Sequence, residues 1–128
     1  DFDLGGPLFD GRDIKMVDCG NVPGNMHDFA EHSARAETAV RKILAAGALP
    51  LIIGGDHAIP IPVLKAYDGE GPITLVQIDA HIDWREEVNG VTQGLSSPIR
   101  RASEMALISR IDYAFRRLND ADITALLA

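Results

Sequence analysis

The chain has 128 residues, 19 acidic and 12 basic, for a net charge of −7. With 46% hydrophobic and 24% charged residues it has the composition of one globular domain, which excludes a disordered chain, and the acidic balance excludes non-specific binding to nucleic-acid backbones. No apolar run approaches the ~20 residues of a membrane helix, no secretory pattern is visible in the opening DFDLGGPLFDGRD, and the single Cys19 excludes an internal disulfide and fits a reducing compartment, read as the cytoplasm.

In chain order, Asp1 to Arg12 is rich in Gly, Asp and Pro and reads as loop. Ile14-Lys15-Met16-Val17 reads as a strand entering a turn at Asp18-Cys19-Gly20. Asn25 or Asp28 can cap a helix whose buried face is Phe29, Ala36, Val40, Ile43 and Leu44, with Gly47 as its stop. Leu49-Pro50-Leu51-Ile52-Ile53 is apolar without alternation, the pattern of a strand covered on both faces. Gly54-Gly55-Asp56-His57 follows directly. Pro60 and Pro62 then fit the first turn of a helix containing Val63, Leu64 and Tyr67.

Ile73 to Ile78 is a second apolar strand, ending at Asp79-Ala80-His81-Ile82-Asp83-Trp84. Alternation of strands and helices points to a mainly parallel α/β sheet. Arg85 to Ser97 reads as loop, and Ser97-Pro98 opens a short helix through Met105. Ala106 to Ala128 reads as one or two amphipathic helices, with Ile108, Ile111, Tyr113, Phe115 and Leu118 as apolar positions. The expected division is therefore residues 1–105 as a partial α/β domain and 106–128 as a helical tail.

Ligands of open parallel sheets sit beyond the carboxyl ends of strands. His57 falls at one such end, and Asp79, His81 and Asp83 at another. Alternation along an extended chain lets these last three project to one side. Two carboxylates and two imidazoles make a metal site suited to Mn²⁺, Fe²⁺ or Zn²⁺, and the lack of thiolates argues against structural zinc.

Gly54-Gly55-Asp56-His57 followed by Asp79-Ala80-His81-Ile82-Asp83 resembles the ureohydrolase family of arginases and agmatinases. Asp18-Cys19-Gly20-Asn21-Val22 resembles a segment of its agmatinase branch. The likeness spans roughly Asp1 to Met105. It implies a three-layer α/β/α, arginase-like fold, here incomplete, and a binuclear Mn²⁺ centre. His57 and Asp83 would hold one ion, His81 the other, and Asp79 would bridge both. Such a centre lowers the pKa of a bridging water and supplies hydroxide near neutral pH. Asp83 would also act catalytically by orienting that hydroxide. The implied reaction splits a small cationic guanidino compound, agmatine first among them, into urea and an amine.

The family's downstream Ser-x-Asp-x-Asp-x-x-Asp-Pro motif has no counterpart; Asp120-Ala121-Asp122 lacks the trailing Asp-Pro and reads as a helix cap. The chain thus looks like a fragment that begins and ends inside the family's domain. Gln93-Gly94 stands where many members have a proton-shuttling His-Gly, and Gln93 cannot shuttle protons. Two alternative readings follow: a non-catalytic relative acting as an interaction partner, and a Zn²⁺ deacetylase-like hydrolase of the same fold. Uncovered apolar surface would favour a homo-oligomer; neither nucleic acid nor membrane is an expected partner. His27 and His32 read as surface residues, Cys19 as a small buried one, and Arg85-Glu86-Glu87 as a solvated charge run in preference to a loop that meets substrate. Asp56 reads equally as a partner of His57 or a cap, and Trp84 as pocket wall or core.

Overall fold

The computed structural model describes residues 13–25 and 27–114. Helix α1 spans Phe29–Ala45. Asp28 caps it, its side chain accepting from the Glu31 N–H at 2.9 Å. Gly47, at φ +70°, ends it through an N–H to Leu44 carbonyl bond of 2.8 Å. Val40 is the buried residue of this helix; Phe29, expected on the buried face, is exposed.

Helix α2 spans Pro60–Ala66 and begins on Pro60 and Pro62 as expected, since first-turn residues have no intrahelical use for an N–H. Arg41 of α1 reaches over its far end, donating to the Lys65 carbonyl at 2.8 Å. Helix α3 spans Pro98–Ser103, again with proline in its first turn. The three helices enclose the core: Val40, Ala58, Ile61, Leu64, Ala66, Ile99 and Ala102 are buried.

Strand β1 (Ile73–Ile78) pairs in parallel with β2 (Ile108–Ala114), Thr74 opposite Arg110 and Gln77 opposite Tyr113. Strand β1, helix α3 and strand β2 form one strand–helix–parallel-strand unit. Along β1, Gln77 is buried while Val76 and Ile78 are exposed. Strand β2 corrects the expected helix over 108–114. Ile108, Ile111 and Tyr113 fit helical spacing on paper, but the open edge of β1 gives this β-prone segment hydrogen-bonding partners. Phe115, Leu118, Asp120 and Asp122 lie outside the described residues.

Two other expected strands are not strands here. Ile14–Val17 and Leu49–Ile53 carry no ladder among the described residues. An apolar run becomes a strand only beside another strand, and Leu49 and Ile53 are each 92% exposed. Cys19, expected buried, is exposed for the same reason. Within the loop after β1, Asn89-Gly90, both at positive φ, turn a small hairpin closed by reciprocal Val88–Val91 backbone bonds of 3.0 Å.

Candidate metal centre

Three of the four expected ligands converge. One ligand atom each from His57, Asp79 and Asp83 lies within 4.8 Å of the others. His57 Nδ1 is 2.7 Å from Asp83 Oδ2 and 3.7 Å from Asp79 Oδ2. His81 stands beside this group, with its Nδ1 3.4 Å from Asp79 Oδ1 and its side chain 83% exposed. Asp79 therefore turns one oxygen toward each imidazole.

Each residue is held by identifiable contacts. His57 sits in the turn before α2, where Asp56 accepts from the Ala58 N–H at 2.7 Å; Asp56 thus serves the backbone turn. Asp79 accepts from the His81 N–H at 2.8 Å. That hydrogen bond, with smaller help from the His57 and His81 charges and against some burial, holds the Asp79 carboxyl below its ordinary range. Asp83 is 8% exposed and has φ +49°, a left-handed conformation that Asp tolerates better than most residues. Its carbonyl accepts from the Arg100 N–H at 3.3 Å, and its Oδ2 from Gln77 Nε2 at 3.4 Å. Gln77 also donates to the His81 carbonyl at 3.2 Å. One buried amide thereby ties two expected ligands to β1.

The donor set fits a divalent cation. Among the described residues no Lys or Arg pairs with Asp79 or Asp83; their partners are the two imidazoles, the His81 N–H and the Gln77 amide. Oxygen and nitrogen donors grouped in this way could hold a divalent cation.

Beside the cluster is a cavity of about 850 Å³, lined by His57, His81, Asp83, Trp84, Arg85 and Leu95 among others. That volume suits a small-molecule site. Trp84 is therefore wall, and the Arg100 guanidinium lies 5.7 Å from its ring centre. Glu86 leaves the expected solvated run: it pairs with Arg100 at 2.9 Å and Arg101 at 3.0 Å, fastening the loop to α3. Gln93 instead accepts from Lys65 at 3.4 Å. His27 is exposed and His32 half-buried.

Gln77 and Tyr113 were missed by sequence reasoning. Gln77 looked like one polar residue in an apolar strand. Tyr113 was placed on a helix, yet it stands opposite Gln77, where burial first and the Asp83 charge second push its phenol up. A polar residue at an inward position of an otherwise apolar strand was the available signal for Gln77.

A family model described as the Arginase family matches residues 3–123. The chain is 37% identical over 98 residues to a guanidinopropionase from Pseudomonas aeruginosa, covering 74% of this chain and 30% of that protein. It is 34% identical over 98 residues to a mitochondrial guanidino acid hydrolase from Homo sapiens, covering 76% and 28%. Among solved structures, a proclavaminate amidino hydrolase from Streptomyces clavuligerus matches with TM-score 0.69 and 26% identity, over 84% of this chain and 38% of that one. The chain belongs to the arginase family, and its α/β architecture with parallel strands is arginase-like. It spans under a third of the length of these two curated relatives.

Proposed function

We propose that the chain contributes His57, Asp79, His81 and Asp83 to a binuclear Mn²⁺ centre of a hydrolase that splits guanidino compounds into urea and an amine. The observation that carries this reading is Asp79, which offers one carboxylate oxygen toward His57 and the other toward His81. The arginase-family match and the guanidino substrates in the relatives' names support it.

Manganese bound there supplies a nucleophilic water near neutral pH. The chain's own residues do the rest. Asp79 and Asp83 make the site anionic and draw a guanidinium toward it. Asp83 would hold the ion through one carboxylate oxygen and would orient the nucleophilic water through the other. The His57 imidazole is oriented by Asp83, and the Asp79 carboxylate by the His81 N–H. Trp84 and Leu95 line the cavity beside these carboxylates. The cytoplasm remains the proposed compartment, supported by the single thiol.

The test is Mn²⁺ stoichiometry by equilibrium dialysis, together with urea release from a panel of guanidino compounds. Manganese bound by the chain and lost in His57→Ala and Asp79→Ala supports the reading. No manganese binding and no urea from any compound would sink it.

A second reading, a non-catalytic chain that packs against a full-length relative as an interaction partner, is favoured by exposed Leu49, Leu51 and Ile53 and by the outer face of β1. Sedimentation of the isolated chain decides it; a folded monomer at all concentrations removes it.

A further inference from the structure

We propose that Arg100 is a positioning residue for substrate: two carboxylates hold its guanidinium along one edge, its face fixes the Trp84 ring, and that ring is the wall against which a guanidino substrate packs. The proposal rests on the guanidino-hydrolase reading above and adds a residue that sets affinity at the same site. Trp84 follows Asp83 directly, lines the cavity and is 43% exposed. An indole this exposed has several rotamers open to it. Two contacts from α3 restrain this one. The Arg100 N–H donates to the Asp83 carbonyl at 3.3 Å, which seats α3 against the Asp83-Trp84 dipeptide. The Arg100 guanidinium carbon lies over the Trp84 ring, 5.7 Å from its centre, within the range of attraction between a cation and an aromatic face.

The guanidinium is itself held in place. Glu104, four residues on, accepts from Nε at 2.9 Å, and Glu86, in the loop after Trp84, pairs with Nη2 at 2.9 Å. Both acceptors lie along one edge of the planar group, which leaves its flat face for the ring. Arg101, whose side chain is 15% exposed, pairs with the same two carboxylates at 3.0 and 3.1 Å and so anchors them. Trp84 has no group that ligates a metal or transfers a proton near neutral pH. A displaced ring therefore weakens substrate binding and leaves metal and chemistry alone. The charge of Arg100 predicts the opposite sign: it repels a cationic substrate, and removing it would by itself tighten binding.

Trp84 is the one tryptophan of the chain, so indole fluorescence reports this wall without turnover. The Mn²⁺-loaded chain is titrated with agmatine, 4-guanidinobutanoate and arginine, unaltered and as Arg100→Ala, Glu86→Gln and Trp84→Leu. Calorimetric Kd, urea release and Mn²⁺ affinity are measured in parallel. Arg100→Ala is expected to raise Kd and KM about three- to tenfold, with kcat and Mn²⁺ affinity within about twofold. It should also make Trp84 about twofold more open to acrylamide quenching, since the ring loses its cover. Glu86→Gln keeps Arg100 but loosens it, and should move each readout the same way by less; it carries the test should Arg100→Ala not fold. With Trp84→Leu already present, Arg100→Ala should change Kd by less than about twofold. An agmatine Kd that falls or stays put in Arg100→Ala, quenching that does not rise, or an Arg100 effect that persists without Trp84 overturns the inference and leaves guanidino hydrolysis standing. Urea from none of the three compounds overturns the functional reading instead. Kd and quenching then decide the role of Arg100, and a chain that binds none of the three refutes it.

Discussion

Two apolar runs end in residues of the candidate site, and they are built differently. Ile73–Ile78 lies in a parallel ladder, and the residues after it are fastened by Gln77 and by the Arg100 N–H. Leu49–Ile53 has no ladder among the described residues, and His57 is placed instead by the turn and prolines that open α2. The first half of the site is supported by sheet and helix together; the second rests on one short helix. A strand end positions a ligand through its neighbours, so a lone apolar run cannot do the same work.

The comparison can be broken most severely at Asp83. Asp83→Ala removes the buried carboxylate that faces His57 and is expected to weaken Mn²⁺ binding by more than about 100-fold and to abolish urea release. Calorimetric titration checks this; unchanged affinity would mean that the cluster is not the metal site.

Next is the support of His57. Ile61 of α2 is 1% exposed, and Ile61→Ala should cost about 2–5 kcal/mol in chemical unfolding. A much smaller loss would show that the core between the helices is looser than its burial implies.

Gln77→Leu keeps the strand but removes both bonds from its amide. The expected loss is about 10- to 100-fold in Mn²⁺ affinity, measured by dialysis, with little change in His57 variants already lacking that ligand.

Acid sharpens the comparison further. The Asp79 carboxyl is held below its ordinary value, so the folded state binds that proton less readily than the unfolded one. Its stabilisation is present above the unfolded value of about 3.9 and is lost as pH falls through the lower folded value. Metal-free unfolding followed from pH 6 downward should show this acid limb, and Asp79→Asn should flatten it. The smallest effect is expected at Leu51→Ser, under about 0.5 kcal/mol in an isolated chain, because the residue is exposed. A larger loss, dependent on concentration, would show that the run is covered by another copy.

Much of the candidate site was legible in residue order, because strand ends and their punctuation are local. Asp79, His81 and Asp83 follow an apolar β-branched run, and His57 follows a Gly-Gly turn. The structure brings His57, Asp79 and Asp83 together and leaves His81 on the exposed side of Asp79. Glu86 and Arg85 looked alike in the sequence, as members of one charged run. Only the packing of α3 separates them, since it presents Arg100 and Arg101 to Glu86 and nothing to the Arg85 side chain.

The sequence by itself determined the helices and β1, whose signals are short-range: the Asp28 cap, the prolines of α2 and α3, the period of α1 and the β-branched run of β1. It also determined the family, through two motifs and their spacing. Tertiary structure decided the rest. Whether Ile108–Ala114 is helix or strand, and whether Leu49–Ile53 joins a sheet, depends on which backbone edge stands beside each segment. The physical reason is that a helix satisfies its hydrogen bonds within four residues of itself, whereas a strand satisfies them only in a neighbour that its own sequence does not contain.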